Sequence, residues 1–195
     1  MADVFDKLLS QGVRKGHLPA RTQTAIQWFR QTAAKTMTTG DALVSSSDKT
    51  KLTASVKIGR MYAFKYDPKH KQTLPYYDMF PVIFPFDLAK GGFLGMNLHY
   101  LPLPLRAKLM DALYDTISNT KFNENTKLKI SYDILKGASK FKWFKPCIKH
   151  YLTDHVQSKF IKISSAEWDI CAWLPVEKFA KASKQEVWAD SRMMK

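Results

Sequence analysis

Lysines alternate with aromatic side chains between residues 136 and 150, and this pattern suits contact with a polyanion. An ammonium group neutralises a phosphate, while a ring such as Phe141, Trp143 or Phe144 packs on a sugar or a base. We expect Trp143 itself to belong to the core, and phosphate contact by the lysines holds in either case. The residues predicted to bind nucleic acid are Lys127, Lys129, Lys136, Lys140, Lys142, Lys145 and Lys149.

The charge of the chain is strongly positive and unevenly distributed. The 195 residues carry a net charge of +14, and residues 121–162 alone hold ten basic against three acidic groups. Such a surplus predicts a polyanionic partner, because each neutralised phosphate releases counterions; the alternative is a basic surface that is merely solvated. Few of these cations are arginine, and lysine is a mobile point charge rather than a bidentate reader of base edges. Binding of double-stranded DNA should therefore be insensitive to base sequence.

Catalytic chemistry finds little support in the residue spacing. The five histidines form no His-x-x-x-His or Glu-x-x-His pair, and Cys147 and Cys171 lie in apolar patterns typical of small core residues. We therefore predict no catalytic residue, no metal and no cofactor. One enzymatic alternative stays open, a metal-free ribonuclease of the toxin-barrel type that draws its acid or base from Arg60, Lys65 or His99.

The segment from residue 56 to 104 consists of short aromatic and β-branched runs that Pro and Gly interrupt. Such runs are typical of small, sharply bent antiparallel sheets. They predict strands over 56–66, 79–86 and 93–101, with Lys90-Gly91-Gly92 as the tight return between the last two. The prediction is an α+β fold built on a small SH3-like antiparallel β-barrel.

Helical patterns flank the predicted barrel on both sides and suggest four regions. Residues 1–37 form an N-terminal helical arm that ends near Met37, and the Ser/Thr-rich residues 38–55 form a polar linker. Residues 56–104 form the barrel core, and residues 105–195 form a helical region packed on it, with helices beginning at Pro146 and Pro175. No membrane span is expected. The predicted partner-binding residues of the arm are Ile26, Trp28, Phe29 and Arg30.

Four segments of the chain resemble the DNA end protector or head-completion proteins of T4-like contractile-tailed bacteriophages. They are Thr-Ala-Ile-Gln-Trp-Phe-Arg at 24–30, Tyr-Asp-Pro-Lys-His-Lys-Gln-Thr-Leu-Pro-Tyr-Tyr-Asp at 66–78, Gly-Phe-Leu-Gly-Met-Asn-Leu-His-Tyr-Leu at 92–101, and Phe-Lys-Pro-Cys-Ile-Lys-His-Tyr-Leu at 144–152. The resemblance spans residues 20–195. It implies a virion structural protein, not an enzyme, that joins a filled head at the neck and shields the end of packaged double-stranded DNA from exonuclease.

The same resemblance implies partners and a location. The partners are DNA and other virion proteins of the neck, portal or tail, with no membrane, and a homo-oligomer is compatible with this role. The location is the virion, after assembly in the host cytoplasm.

Two alternatives to DNA protection stay open at this point. A tail or baseplate component would direct its lysines to acidic neighbours in the particle and would never contact DNA. The toxin-type ribonuclease described above is the other alternative. The DNA hypothesis depends on the lysines of residues 121–162 being gathered on one exposed side.

Overall fold

The computed structural model describes residues 4–36 and 40–193, and in these residues it contains seven α-helices and eight β-strands. The helices are α1 Val4–Arg14, α2 Gln23–Thr36, α3 Gly40–Ser46, α4 Leu103–Ile117, α5 Glu124–Ala138, α6 Trp168–Trp173 and α7 Lys184–Met193. The strands are β1 Leu52–Thr53, β2 Met61–Ala63, β3 Tyr77–Asp78, β4 Val82–Ala89, β5 Gly92–Asn97, β6 Ile148–Leu152, β7 Phe160–Ile163 and β8 Phe179–Ala180.

Six of the strands form one antiparallel sheet in the order β1-β7-β2-β4-β5-β6, and β3 pairs with β8 in a separate ribbon. The large sheet is open, because β1 and β6 lie at its two edges and do not pair with each other within the described residues. The prediction of a mixed fold with an antiparallel sheet is confirmed, whereas the prediction of an SH3-like barrel is not. The hairpin of β4 and β5 turns at Lys90-Gly91, where Gly91 has a φ of 74°, as the tight return predicts.

Two segments predicted to be helices form β-strands over part of their length. The prediction of a helix that begins at Pro146 is wrong. Residues 148–152 form the edge strand β6, and residues 153–155 form a single 3₁₀ turn. Ile148 contacts the main core, while Tyr151 packs on the opposite face of the sheet. This agrees with a strand, in which residues an odd number of positions apart point to opposite faces. The helix expected from Pro175 begins only at Lys184, after β8 has paired with β3.

The Ser/Thr-rich stretch expected to be a polar linker contains ordered elements. Residues 40–46 form α3, whose Leu43 is fully buried, and β1 follows as an edge strand of the sheet. The close approach of α3 to the core requires Gly40, because a Cβ there would lie 2.3 Å from the ring of Phe80. Met37, the expected end of the arm, lies outside the described residues. The division of the chain into four regions stays a prediction.

Apolar clusters cover both faces of the sheet. On the inner face, strand residues such as Met61, Val82 and Ile161 pack against the helices, and every residue of α6 is buried. The outer face carries an aromatic cluster in which successive rings meet edge to face or stacked. Its buried members are Tyr62, Phe64, Tyr66, Ile83, Phe93, Tyr151 and Phe160.

Buried charges tie the N-terminal helices to the carboxyl-terminal half. Glu177 lies between two arginines, with its Oε1 atom 2.9 Å from Nη1 of Arg30 and 3.2 Å from Nη1 of Arg106. Burial opposes ionisation of this carboxyl, but the nearby positive charges outweigh that effect and lower its pKa to about 2. Arg21, just before α2, forms ion pairs with Asp111 and Asp169.

Candidate nucleic-acid interface

The basic segment predicted to bind nucleic acid spans α5 and the loop that follows it. Asn123 caps α5 by accepting a 2.9 Å hydrogen bond from the backbone N–H of Thr126. After Ala138 the chain runs through successive tight turns, closed by hydrogen bonds such as that from the N–H of Phe144 to the carbonyl of Phe141 at 2.9 Å. We call residues 139–147 the basic loop. It carries the exposed side chains of Lys140, Lys142 and Lys145.

The basic loop also exposes two aromatic side chains. Phe141 is 63% exposed and Trp143 is 47% exposed, so the expectation that Trp143 belongs to the core is wrong. Phe144 takes the core position instead and packs partly buried against the main cluster. The ammonium group of Lys142 lies 4.8 Å from the ring centroid of Trp143, which places a positive charge beside an exposed π face.

These aromatic residues border an apolar groove of about 780 Å³ between α4 and α5. Two further cationic residues line the groove, Lys108 from α4 and Arg192 from α7. None of its described lining residues is acidic. Neither Lys108 nor Arg192 was predicted from the sequence, because only the packing of three separate helices brings them beside the basic loop. The other lining residues are Leu105, Leu109, Ala112, Ile134, Gly137, Ala138, Phe141, Trp143 and Phe144.

The remaining predicted lysines are not gathered at the groove. Lys136 donates a 2.8 Å hydrogen bond to the hydroxyl of Tyr132, which raises the pKa of the lysine, and its Nζ lies 3.6 Å from Asp87. Lys149, on β6, is half-buried with its Nζ 4.1 Å from the ring centroid of Tyr100, and burial lowers its pKa. The surplus charge therefore divides among several places.

The last two predicted lysines lie on different sides of α5. Lys127 is partly buried, with its Nζ 3.5 Å from a carboxylate oxygen of Glu124. Lys129 is exposed to solvent. Their assignment to DNA stays a prediction.

The four residues predicted to bind partners through the arm contact other parts of the same chain. Ile26 is 7% exposed and Phe29 is fully buried in the main core. Trp28 is half-buried, with its ring centroid 4.9 Å from that of His17, and Arg30 pairs with Glu177. Their role toward partners stays a prediction, and α2 is packed on α1 and α6 rather than held apart.

The side chains considered for ribonuclease chemistry lie in separate surroundings. His99 is 1% exposed, and its Nδ1 lies 2.7 Å from a carboxylate oxygen of Asp78. Lys65 forms an ion pair with Asp41, and Arg60 lines a cavity beside α5. Asp78 also accepts a 2.9 Å hydrogen bond from the amide group of Asn97, so His99 belongs to a buried polar network.

Residues 4–36 and 40–193 contain no group of three or more His, Cys, Asp or Glu side chains placed to hold a metal ion. No helix in these residues has both the length and the apolar character needed to cross a bilayer.

The chain matches one family model over nearly its whole length. The model is described as Phage T4 terminal DNA protecting protein, and the match covers residues 3–194. The chain belongs to this family. The resemblance to phage DNA end protectors is thereby confirmed, and membership extends over the helices, the sheet and the basic loop alike. No curated protein and no solved structure matches the chain.

Proposed function

We propose that this protein is a non-enzymatic structural component of a phage particle that covers the end of packaged double-stranded DNA at the head or neck. The observation that carries the proposal is membership of the terminal DNA protecting family over residues 3–194. Assembly in the host cytoplasm and docking on other neck proteins belong to the same proposal. The net charge of +14 supports it, since a polyanionic partner gains affinity from every phosphate that a lysine neutralises.

The basic loop is the surface that we assign to DNA. Lys140, Lys142 and Lys145 contact phosphates near the end of the duplex, while Phe141 and Trp143 cover the exposed face of the terminal base pair. Every base presents a π face and lysine reads no base edge, so this mode of contact is independent of sequence. A duplex end presents the flat face that stacking hides elsewhere along the helix.

Protection of a linear duplex from exonuclease tests the function itself. A blunt duplex mixed with the protein should outlast the free duplex, and the protection should disappear as salt rises because counterion release is lost. A duplex whose ends are closed by covalent hairpins controls for general inhibition of the nuclease. Absence of duplex binding at every salt concentration would falsify the proposal and leave a tail or baseplate component as the better description. RNA incubated with the protein and a chelator should stay intact.

Replacing the three lysines of the basic loop tests the surface. The combined change Lys140→Gln, Lys142→Gln and Lys145→Gln should weaken duplex binding at low salt and reduce the slope of log K against log salt by about 1 for each lysine removed. Melting should be nearly unchanged, because exposed charges contribute little stability. A matched control removes three exposed lysines far from the basic loop in sequence, Lys7 on α1, Lys15 in the turn just after it and Lys35 on α2. Equal losses in both variants would mean that only total charge matters.

Replacing the two exposed rings tests contact with the terminal base pair. Phe141→Ala combined with Trp143→Ala should weaken binding to open ends by about tenfold or more, since stacking of one base is worth about 1–3 kcal/mol. Binding to closed circular duplex should hardly change. Val13→Ala with Leu88→Ala is the control, because these side chains are 64% and 74% exposed and lie outside the groove. Equal weakening on open and closed duplexes would remove the rings from the end contact.

A further inference from the structure

A second basic cavity lies where α5 crosses the ends of β2 and β7. Its volume is about 230 Å³. The wall from α5 is formed by Glu124, Lys127, Leu128 and Ser131, which lie at positions i, i+3, i+4 and i+7 and therefore share one face of the helix. Arg60, just before β2, and residues 162–165, at the end of β7, form the opposite wall.

A glycine turn brings the two walls together. Gly59 has a φ of 83°, and its N–H donates a 2.8 Å hydrogen bond to the carbonyl of Pro85. A Cβ at this position would lie 3.2 Å from the carbonyl oxygen of Leu128 on α5. The left-handed backbone and the close approach both favour glycine, and together they hold Arg60 against the helix.

Three cations converge on this cavity, supplied by Arg60, Lys127 and Lys162. Lys127 forms an ion pair with the one acidic residue among the described lining, since its Nζ lies 3.5 Å from Glu124, whose side chain is 81% exposed. Neither Arg60 nor Lys162 forms an ion pair within the part of the chain that the structure describes. The cavity therefore holds more positive charge than its own acids neutralise.

Ser131 supplies an independent sign of a ligand. The residue is 1% exposed, and its hydroxyl oxygen has no hydrogen-bond partner among the described residues. Buried hydroxyl groups are normally paired, because leaving one unpaired costs free energy. A hydroxyl donor and three cations around one recess match the oxygens of a phosphate group.

We propose that this cavity binds the phosphomonoester at the terminus of a DNA strand, an inference that rests on the proposed function. A terminal phosphate carries a charge of about −1.5 to −2 near neutral pH, whereas an internal phosphodiester carries a single charge, so three cations favour the terminal group. A terminal phosphate also has a sugar on one side only and can enter a recess. The guanidinium of Arg60 binds two of its oxygens, Lys127 and Lys162 add charge, and Ser131 donates a hydrogen bond.

Duplexes that differ only in terminal phosphorylation test the assignment. Fluorescence anisotropy should show that the protein binds blunt duplexes bearing a 5′ or a 3′ phosphate about tenfold more tightly than the same duplex with hydroxyl ends. Arg60→Gln and Lys162→Gln should abolish this preference and leave binding of the hydroxyl-ended duplex nearly unchanged. Lys159→Gln is the charge control, because Lys159 is exposed just before β7 and lies outside the cavity. A preference that persists in both cavity variants overturns the proposal.

Ser131→Ala separates a ligand role from a packing role. If the hydroxyl serves only the fold, its removal relieves an unpaired polar group and leaves phosphate preference intact, an outcome that counts against the proposal. If the hydroxyl binds phosphate, the melting temperature of Ser131→Ala is unchanged or higher, while the preference for phosphorylated duplex ends falls severalfold. This variant also guards against misfolding of the arginine variant.

A titration without duplex DNA keeps this inference separate from the proposed function. Thymidine 5′-monophosphate added to isotope-labelled protein should shift the backbone amide signals of Arg60, Ser131 and Ser164, whereas thymidine should not. Shifts confined to the basic loop overturn the cavity assignment even if duplex ends are protected. Equal shifts with inorganic phosphate alone identify a general phosphate site and overturn the strand-terminal assignment. Shifts in the cavity without any protection of duplex ends support the cavity and defeat the proposed function.

Discussion

Single side chains in this fold carry charges deep inside the molecule, and Glu177 shows the consequence most directly. Its carboxylate is 1% exposed and contacts Arg106, whose side chain is fully buried and also donates a 2.7 Å hydrogen bond to the carbonyl of Ala172. Removing one member of such a cluster leaves an uncompensated charge in the core, which costs far more than the loss of a surface ion pair. The cluster therefore stabilises the fold only while it is complete.

The free energy of unfolding should decrease as the pH is lowered, because Glu177 becomes protonated. Its pKa in the folded protein is about 2, below the ordinary value of 4.5, so its contribution is complete above about pH 4.5 and is lost as the pH falls toward 2. Glu177→Gln should lower the free energy of unfolding by about 3 kcal/mol at pH 7, and the difference from the unaltered protein should shrink below pH 4. Urea unfolding at several pH values measures this. Asp133→Asn, at an exposed position of α5, is the control.

At the scale of secondary-structure elements, replacing two glycines by alanine should change the stability of the protein in opposite directions. A Cβ on Gly92 would lie 1.8 Å from the carbonyl oxygen of Tyr151, so Gly92→Ala must push β5 and β6 apart. A Cβ on Gly137, near the end of α5, meets nothing within 4 Å. Gly92→Ala should destabilise the protein by about 3 kcal/mol or more, and Gly137→Ala should stabilise it by about 0.5–1 kcal/mol. Thermal melting of the two variants checks both signs, and a stable Gly92→Ala protein would contradict the pairing of β5 with β6.

Sequence patterns found some elements and missed others for physical reasons. The hairpin of β4 and β5 was predictable because its signal is local, an aromatic run on each side of a glycine turn. The edge strand β6 was not, since Ile148, Tyr151 and Leu152 also satisfy helical spacing and only pairing with β5 decides between them. The basic loop was visible as a lysine-rich segment. The cavity of Arg60, Lys127 and Lys162 was not, because its cations are far apart in the chain and meet only in the folded protein.

At the scale of the whole molecule, the N-terminal helices are joined to the rest by core contacts and charges. Phe29 is fully buried in the main core, Arg30 pairs with Glu177, and Arg21 pairs with Asp169 on α6. A tethered arm would leave these partners unaffected when it is removed. The described packing predicts instead that they lose both apolar cover and charge neutralisation.

Deletion of residues 1–36 tests whether the arm is separate. We expect the shortened protein to lose cooperative melting and to bind a hydrophobic dye, because buried apolar surface is uncovered, Glu177 keeps only one of its two arginines, and Asp169 loses Arg21. Circular dichroism and dye fluorescence measure the two effects. A shortened protein that melts cooperatively near the temperature of the full chain would support the tethered arm instead.

The order of strands in the large sheet has a consequence for synthesis on the ribosome. β7 lies between β1 and β2, although roughly a hundred residues separate it from them in the chain. While the nascent polypeptide is still shorter than 160 residues, β1 and β2 therefore lack the strand that joins them, and the edge of each that pairs with β7 stays unsatisfied. Folding of the sheet has to wait until translation is nearly complete, so a prematurely terminated product should be insoluble or degraded rather than partly active.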